Sequence, residues 1–283
     1  MQRVERTKNR KKNKLRYVII FVCLGVFFYS AFHVGINYYR AYKSQKAMDE
    51  EAKKIQEQLD EAKRREEEER KRAEEAAAQN GGETDPEGGG TEYVPFVLNF
   101  DDLLAVNSDI MGWITVDGTN INYPVLYSYT DREYYLYHNY WGAYDAQGSI
   151  FIENFNSRDL SDFNTIVYGH SMLNGNMFGT LHNFSHWDYF NNYGGITLYT
   201  PSATYHYYVF ETATIDNKHI LTYLDNTSYE SIQNYINTIS GYTSGFIRDG
   251  YTITPEDHIL TLSTCTTDDS KRLVVFAVLT GIS

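Results

Sequence analysis

The sequence predicts a mainly β domain that follows a membrane-spanning helix and a charged helical stalk. Three observations support this fold class. Residues 17–36 carry no acidic or basic residue apart from His33, and residues 40–79 contain neither Pro nor Gly. From residue 93 onward, short runs of β-branched and aromatic residues alternate with turn residues, which is typical of strands. The about 190 residues of this last region are enough for one sizeable core.

The N-terminal segment predicts a single-pass membrane anchor at residues 17–38. Twenty helical residues reach about 30 Å, the thickness of a hydrocarbon core. Residues 1–16 hold eight basic residues and one acidic residue. Because positive flanks stay in the cytoplasm, we expect a cytoplasmic basic tail and an extracellular remainder. A cleaved signal peptide is the alternative, but the apolar core is long for one and no small-residue cleavage site follows it.

Residues 39–79 are predicted to form a charged helical stalk, because Ala, Glu, Lys and Arg dominate and favour helix. A weak apolar seam with a 4–3 spacing runs along it, through Ala41, Met48, Ala52, Ile55, Leu59, Ala62, Ala73 and Ala76. We favour a solvated stalk over a dimerisation module, since polar residues interrupt the seam. Residues 80–92 are rich in Gly and predict a flexible linker, so the folded domain is expected at 93–283.

Within 93–283 the pattern predicts eight strands, whose spacing suits a barrel or a sandwich. The candidate strands are residues 112–116, 121–126, 149–153, 165–170, 196–199, 205–215, 258–264 and 272–279. Residues 228–240 place four apolar side chains on one helical face, and residues 178–190 predict one or two further helices.

The charge of the predicted domain excludes one class of function. Residues 93–283 hold 6 basic and 20 acidic residues, in a chain of net charge −12. A nucleic-acid-binding domain requires a basic footprint, so we expect no nucleic-acid partner. We also find no Gly-rich phosphate-binding loop and therefore expect no nucleotide.

Cys265 is the candidate nucleophile. It ends the strand-like run 258–265, and the other cysteine, Cys23, lies in the apolar span, so Cys265 has no partner within its own domain. An unpaired thiol in an external domain is a possible nucleophile when a base or a lowered pKa supplies the thiolate. A buried, inert cysteine is the alternative.

Two further residues are candidates for the same site. His170 ends the run 164–170, and we expect Gly169 before it to permit an unusual backbone turn. Arg272 opens the last apolar run, and its permanently charged guanidinium can stabilise an oxyanion. The alternative for Arg272 is a surface salt bridge with Asp268 or Asp269.

These residues resemble the signature of the sortases, the membrane-anchored cysteine transpeptidases of Gram-positive bacteria. The matching motifs follow the family's order: GWI at 112–114, NINYPV at 120–125, YYL at 134–136, GSIF at 148–151, YGH at 168–170, TLSTC at 261–265 and RLVV at 272–275. Two features resemble class B: MFGTL at 177–181, soon after the histidine, and the helix-bearing connection before the cysteine strand. The long charged stalk departs from the family's pattern and leaves open the distance between the active site and the membrane.

The resemblance implies an eight-stranded sortase-like β-barrel with peripheral helices and a catalytic set of Cys265, His170 and Arg272. Ser263 and Thr264 would line the substrate groove; the alternative is that they are structural residues of the strand. The implied substrate is a secreted protein with a C-terminal sorting signal like NPxTN or LPxTG. The implied acceptor is an amine of a peptidoglycan precursor or a pilin lysine. No cofactor and no metal are implied, and the oligomeric state is not predicted.

Three other functions are compatible with the sequence. A cysteine peptidase would resolve the thioester with water instead of an amine. A zinc-binding structural domain would need Cys/His ligand spacing that the sequence lacks. A membrane-tethered scaffold would tolerate the loss of Cys265 without losing its function.

Overall fold

The computed structural model describes residues 2–79, 98–217, 228–242, 244–268 and 270–283. The chain divides into two compact units, Met1–Ala47 and Met48–Ser283. The first unit is helical, and its helix, α1, spans Gln2–Gln79 and so continues into the second unit. The segment Arg16–Ala62 of α1 contains a window of mean hydropathy 2.2 and is, by length and composition, a candidate membrane span. The orientation of this helix and the predicted domain boundaries stay predictions, and the proposed linker, 80–92, lies outside the described residues.

The second unit contains a closed barrel of eight strands. The strands are β1 Ile110–Val116, β2 Asn122–Tyr127, β3 Ile150–Ile152, β4 Asn164–Tyr168, β5 Gly195–Tyr199, β6 Thr204–Asp216, β7 Phe246–Ile247, β8 Ile259–Cys265 and β9 Lys271–Ile282. The barrel strands run in the spatial order β5-β1-β2-β3-β4-β8-β9-β6, and β6 pairs with β5 to close the sheet. The short β7 pairs with β6. The predicted eight-stranded barrel is therefore confirmed.

The short helices lie in the connections between strands. They are α2 Asp101–Val106, α3 Trp187–Asn192 and α4 Tyr229–Ile239, with 3-10 helices at Tyr134–Leu136 and Gly179–Ser185. The Ser228 side chain caps α4 by accepting a hydrogen bond from the Ser231 backbone N–H at 3.1 Å. The predicted helices at 228–240 and 178–190 are confirmed, whereas α2 and the 3-10 helix at Tyr134–Leu136 were not expected.

The apolar stripe of α1 is not fully solvated. Met48, Ile55 and Leu59 are buried and belong to the same hydrophobic cluster as Phe100 and Leu103. All five residues lie in the second unit. Their spacing of seven and four residues places them on one helical face. The Gln58 side chain on the same stretch accepts a hydrogen bond from the Asn99 backbone N–H at 3.2 Å. The seam that we interpreted as a solvated face is therefore partly covered by the chain's own folded domain.

Candidate active site

The strand order brings the three candidate catalytic residues to one end of the barrel. β4 and β8 are parallel neighbours in which Tyr168 is aligned with Ser263. The Gly169 N–H donates to the Ser263 carbonyl oxygen at 3.2 Å, so the segment that carries His170 leaves the sheet at the end of β8 that bears Cys265. β9 is antiparallel to β8, and its Arg272 lies directly opposite Cys265.

These residues line one cleft with a volume of about 380 Å³. Cys265 is a free cysteine and is partly exposed there, rather than being sealed in the core. The predicted groove residues Ser263 and Thr264 also line the cleft. The full lining is Arg132, Glu133, Leu136, Tyr137, Phe151, Tyr168, Gly169, His170, Asn217, Ser263, Thr264, Cys265 and Arg272. All five predicted site residues thus share one cavity, while their chemical roles stay predictions.

His170 is held by a backbone carbonyl. Its Nε2 lies 2.8 Å from the carbonyl oxygen of Leu136. A carbonyl oxygen can only accept a hydrogen bond, so Nε2 carries the proton and donates it. Nδ1 is then the nitrogen that can gain or lose a proton during a reaction. β4 ends at Tyr168, two residues before the predicted strand end, so His170 lies in the segment that leaves the sheet.

The expected role of Gly169 is wrong. Gly169 does not have the positive φ that would make glycine necessary for an unusual turn. Glycine is required instead by close packing. A Cβ at this position would overlap the Ile150 Cδ1 atom and would lie 2.8 Å from the Phe178 ring. The absence of a side chain therefore lets the segment before His170 pass between two core residues.

Ser263 and Thr264 have different surroundings, although both line the cleft. The Thr264 hydroxyl donates to the carbonyl oxygen of Gly169 at 2.8 Å, which fixes β8 to the segment that carries His170. The Ser263 hydroxyl is buried and has no hydrogen-bond partner among the residues that the structure describes. A buried hydroxyl without a partner is unfavourable, so a substrate group that reached it would gain a hydrogen bond. Ser263 is thus the better candidate for substrate contact.

Two hydrogen-bond donors that neighbour Cys265 in the β8–β9 hairpin share one acceptor. The Arg272 Nη1 atom donates to the carbonyl oxygen of Lys271 at 3.0 Å. The Thr266 backbone N–H reaches the same oxygen at 3.4 Å. To stabilise an oxyanion, these donors would have to exchange the Lys271 carbonyl for the substrate oxygen. Asp268 and Asp269 were the two alternative salt-bridge partners of Arg272. Asp268 accepts a hydrogen bond from the Ser270 hydroxyl at 2.6 Å. Asp269 lies outside the described residues.

One wall of the cleft contains an ion pair that sequence reasoning missed. The Arg132 guanidinium binds Glu153 at 2.8 Å, and the Glu153 side chain is fully buried whereas about half of Arg132 is exposed. Burial raises the pKa of the neighbouring Tyr168, and the Glu153 carboxylate raises it further. The scarcity of arginine after residue 92 was a usable signal for Arg132, but nothing in the sequence indicated its partner.

A metal site would need a cluster of suitable ligands. In the described parts of the chain, no group of three or more His, Cys, Asp or Glu residues is placed to hold a metal ion.

Comparison with known proteins agrees with this geometry. The family model for the sortase domain matches residues 114–280, which is more than half of the chain. The chain belongs to the sortase family. The match covers β2 to β8 completely, most of β9, the end of β1 and the whole cleft, so the enzyme is a sortase-type cysteine transpeptidase.

The similar proteins are class B sortases. A sortase B of Listeria monocytogenes is 36% identical over 184 residues, which are 62% of this chain and 71% of the relative. The structure is similar to that of Clostridium perfringens sortase B, with 32% identity, a TM-score of 0.60, and coverage of 65% of this chain and 100% of that one. Bacillus anthracis sortase B is 36% identical, with a TM-score of 0.58 and coverage of 64% of this chain and 83% of that one. This sortase is therefore of class B.

Proposed function

We propose that this sortase cleaves a C-terminal sorting signal after its Thr residue and transfers the protein to an amine. The signal would resemble NPxTN or LPxTG, and the amine would belong to a peptidoglycan precursor or to a pilin lysine. The observation that carries the proposal is the single cleft that contains Cys265, His170 and Arg272 together. The N-terminus would be cytoplasmic and the barrel extracellular, as the basic residues of the first sixteen positions indicate.

In the first half-reaction, the Cys265 thiolate attacks the carbonyl carbon of the Thr residue. The carbonyl π electrons move to oxygen, and the resulting oxyanion is stabilised by Arg272 and the Thr266 N–H, the two donors that converge in the free enzyme. The oxyanion then collapses, the C–N bond breaks, and His170 gives the proton at Nδ1 to the leaving amine. A thioester remains on Cys265.

In the second half-reaction, an incoming amine attacks the thioester. His170 Nδ1 accepts the proton of the amine, the C–S bond breaks, and the thiolate of Cys265 is regenerated together with a new amide. The hydrogen bond from His170 Nε2 to Leu136 holds the ring in one orientation through both steps. The same nitrogen can therefore act first as an acid and then as a base.

The test uses full-length sortase in detergent micelles with fluorogenic peptides that carry either signal. The amine acceptor is triglycine or a lysine-containing peptide, and the reactions run in water enriched in ¹⁸O. Mass spectrometry then separates the amide product from a hydrolysed product that has gained ¹⁸O. We expect the amide to dominate when an amine is present at millimolar concentration.

Two outcomes would contradict the proposal. If ¹⁸O-labelled acid dominates at saturating amine, the enzyme is a peptidase in function. If no peptide is cleaved while Cys265 still reacts with iodoacetamide, the substrate assignment is wrong but the thiol is reactive. Cys265→Ala is the control for cleavage that does not depend on the thiol.

A further inference from the structure

A second histidine contacts the nucleophile's own backbone. The Nε2 atom of His182 lies 2.9 Å from the carbonyl oxygen of Cys265, across 83 positions of sequence. The carbonyl can only accept, so the His182 N–H is the donor. His182 therefore holds the strand end that carries the proposed nucleophile, although it does not line the cleft.

The residues around His182 hold its backbone in place. It lies in the 3-10 helix Gly179–Ser185, whose Leu181 and Phe184 are fully buried. Residues three apart lie on one face of a 3-10 helix, so these two side chains anchor the helix in the core. The helix backbone that carries His182 is thereby fixed relative to the barrel.

The contact has a geometric consequence for the next peptide group. The Cys265–Thr266 peptide is trans, so its N–H points away from its C=O. A donor that holds the carbonyl therefore sets the direction of the Thr266 N–H. That N–H is one of the two donors that share the Lys271 carbonyl oxygen. The same peptide group is attached to the Cα atom from which the thiol projects.

We propose that His182 is a positioning residue that fixes the Cys265–Thr266 peptide, and with it the thiol and the amide donor of the oxyanion site. The proposal rests on the proposed function for its catalytic meaning. It does not require His182 to exchange a proton, because the neutral Nε2–H tautomer and the imidazolium both donate from Nε2.

The variants are His182→Leu, which removes the donor, and His182→Gln, whose amide N–H can restore it. The matched control is His206→Gln, because the Nε2 of His206 also makes one hydrogen bond, to the Ser283 hydroxyl at 3.0 Å, away from the cleft. All are made in the full-length chain in detergent micelles. With a cleaved peptide, we expect His182→Leu to lower kcat by about 10-fold to 100-fold, the range for small misplacements of reacting groups. KM should change by less than about 3-fold.

Two further results separate positioning from proton transfer and from a general structural role. His182→Leu should lower kcat equally across the pH profile without removing a limb, and His182→Gln should recover most of the activity. If a limb is lost, His182 exchanges a proton and the positioning role is wrong. If Leu and Gln variants are equally impaired, or both match the wild type, the hydrogen bond is not what matters.

A measurement without substrate keeps this test independent of the proposed function. The Cys–Thr dipeptide occurs once in the sequence, so labelling Cys with ¹³C at the carbonyl and Thr with ¹⁵N gives one HNCO signal, from Cys265–Thr266. We expect the carbonyl ¹³C signal to move upfield in His182→Leu, to return in His182→Gln, and to stay in place in His206→Gln. If wild-type enzyme cleaves no peptide, the proposed function fails, whereas an unmoved HNCO signal in His182→Leu overturns the His182 proposal whatever the activity.

Discussion

Two buried carboxylates show how differently the cleft wall and the β6 wall of the barrel handle charge. Glu153 lies beside the cleft and is paired with Arg132 at 2.8 Å. Glu211 lies on β6 and is also buried. Each of the two groups has one oxygen without a hydrogen-bond partner in the described part of the chain, but of the two only Glu153 is paired with a cation there. Burial raises the pKa of Glu211 to about 8. A charge is thus compensated at the cleft, whereas at β6 the carboxyl group is kept neutral by a proton.

The difference shows where this barrel holds its permanent charges. The cleft has to act on a polar peptide and an oxyanion, so fixed cations such as Arg132 and Arg272 are useful there. The β6 wall only has to pack. Changes in the cleft should therefore alter catalysis or leave a charge unpaired, whereas a change at Glu211 should alter only the pH dependence of stability.

The largest expected effect comes from removing the proposed nucleophile. Cys265→Ala should abolish both cleavage and ligation, because no other thiol lies in the cleft. The side chain is small and partly exposed, so the free energy of unfolding should change by less than about 1–2 kcal/mol. Product formation and urea denaturation of the full-length protein measure the two quantities. Turnover by the purified variant would remove Cys265 from its assigned role.

Arg272→Lys should be nearly as damaging to turnover. Lysine keeps the positive charge but loses the planar set of donors with which arginine reaches an oxyanion. The loss of one oxyanion donor lowers kcat by about 10²-fold to 10³-fold in other enzymes, and we expect a similar loss here. The kcat of the variant is measured separately from peptide binding. A variant that keeps more than about a third of wild-type turnover would mean that Arg272 supplies only charge.

Arg132→Met tests the comparison at Glu153, the buried carboxylate that is paired with a cation. It leaves Glu153 buried without its cation, and breaking a fully buried pair costs about 3–5 kcal/mol. Because about half of Arg132 is exposed, we expect a smaller loss of about 2–3 kcal/mol in the free energy of unfolding. Urea denaturation of the full-length chain measures it. Adding Glu153→Gln should recover part of the loss, and a double variant no more stable than Arg132→Met would show that the pairing is not the cause.

The strands could be predicted from sequence because each is a local pattern of β-branched and aromatic residues between turns. β7 was missed because its two residues, Phe246–Ile247, are too few to form a pattern. The candidate catalytic set was found through motifs. The remaining features depend on contacts between distant segments: His182 with Cys265, Arg132 with Glu153, and Gly169 with two core side chains. Local sequence carries no information about such partners.

The smallest expected effect comes from Glu211→Gln, which tests the comparison at the buried carboxyl group on β6. The ordinary pKa of the group is 4.5 and its folded-state pKa is about 8. Between these values the folded chain keeps a proton that the unfolded chain has released, so the contribution of Glu211 to stability is fully present below pH 4.5. That contribution falls as the pH rises and is lost once the pH passes about 8. Glutamine mimics the protonated form and does not titrate.

The Tm of the wild type relative to Glu211→Gln should therefore fall from pH 4.5 to pH 8 and then level off. We expect a fall of at least about 2–4 °C, which corresponds to about 1 kcal/mol for a domain of this size. Glu256→Gln is the matched control, because it makes the same chemical substitution at an exposed glutamate. Differential scanning calorimetry at several pH values measures each Tm. A difference that stays constant with pH, or that Glu256→Gln reproduces, would mean that Glu211 is charged in the folded chain, and the contrast between the two walls would fail.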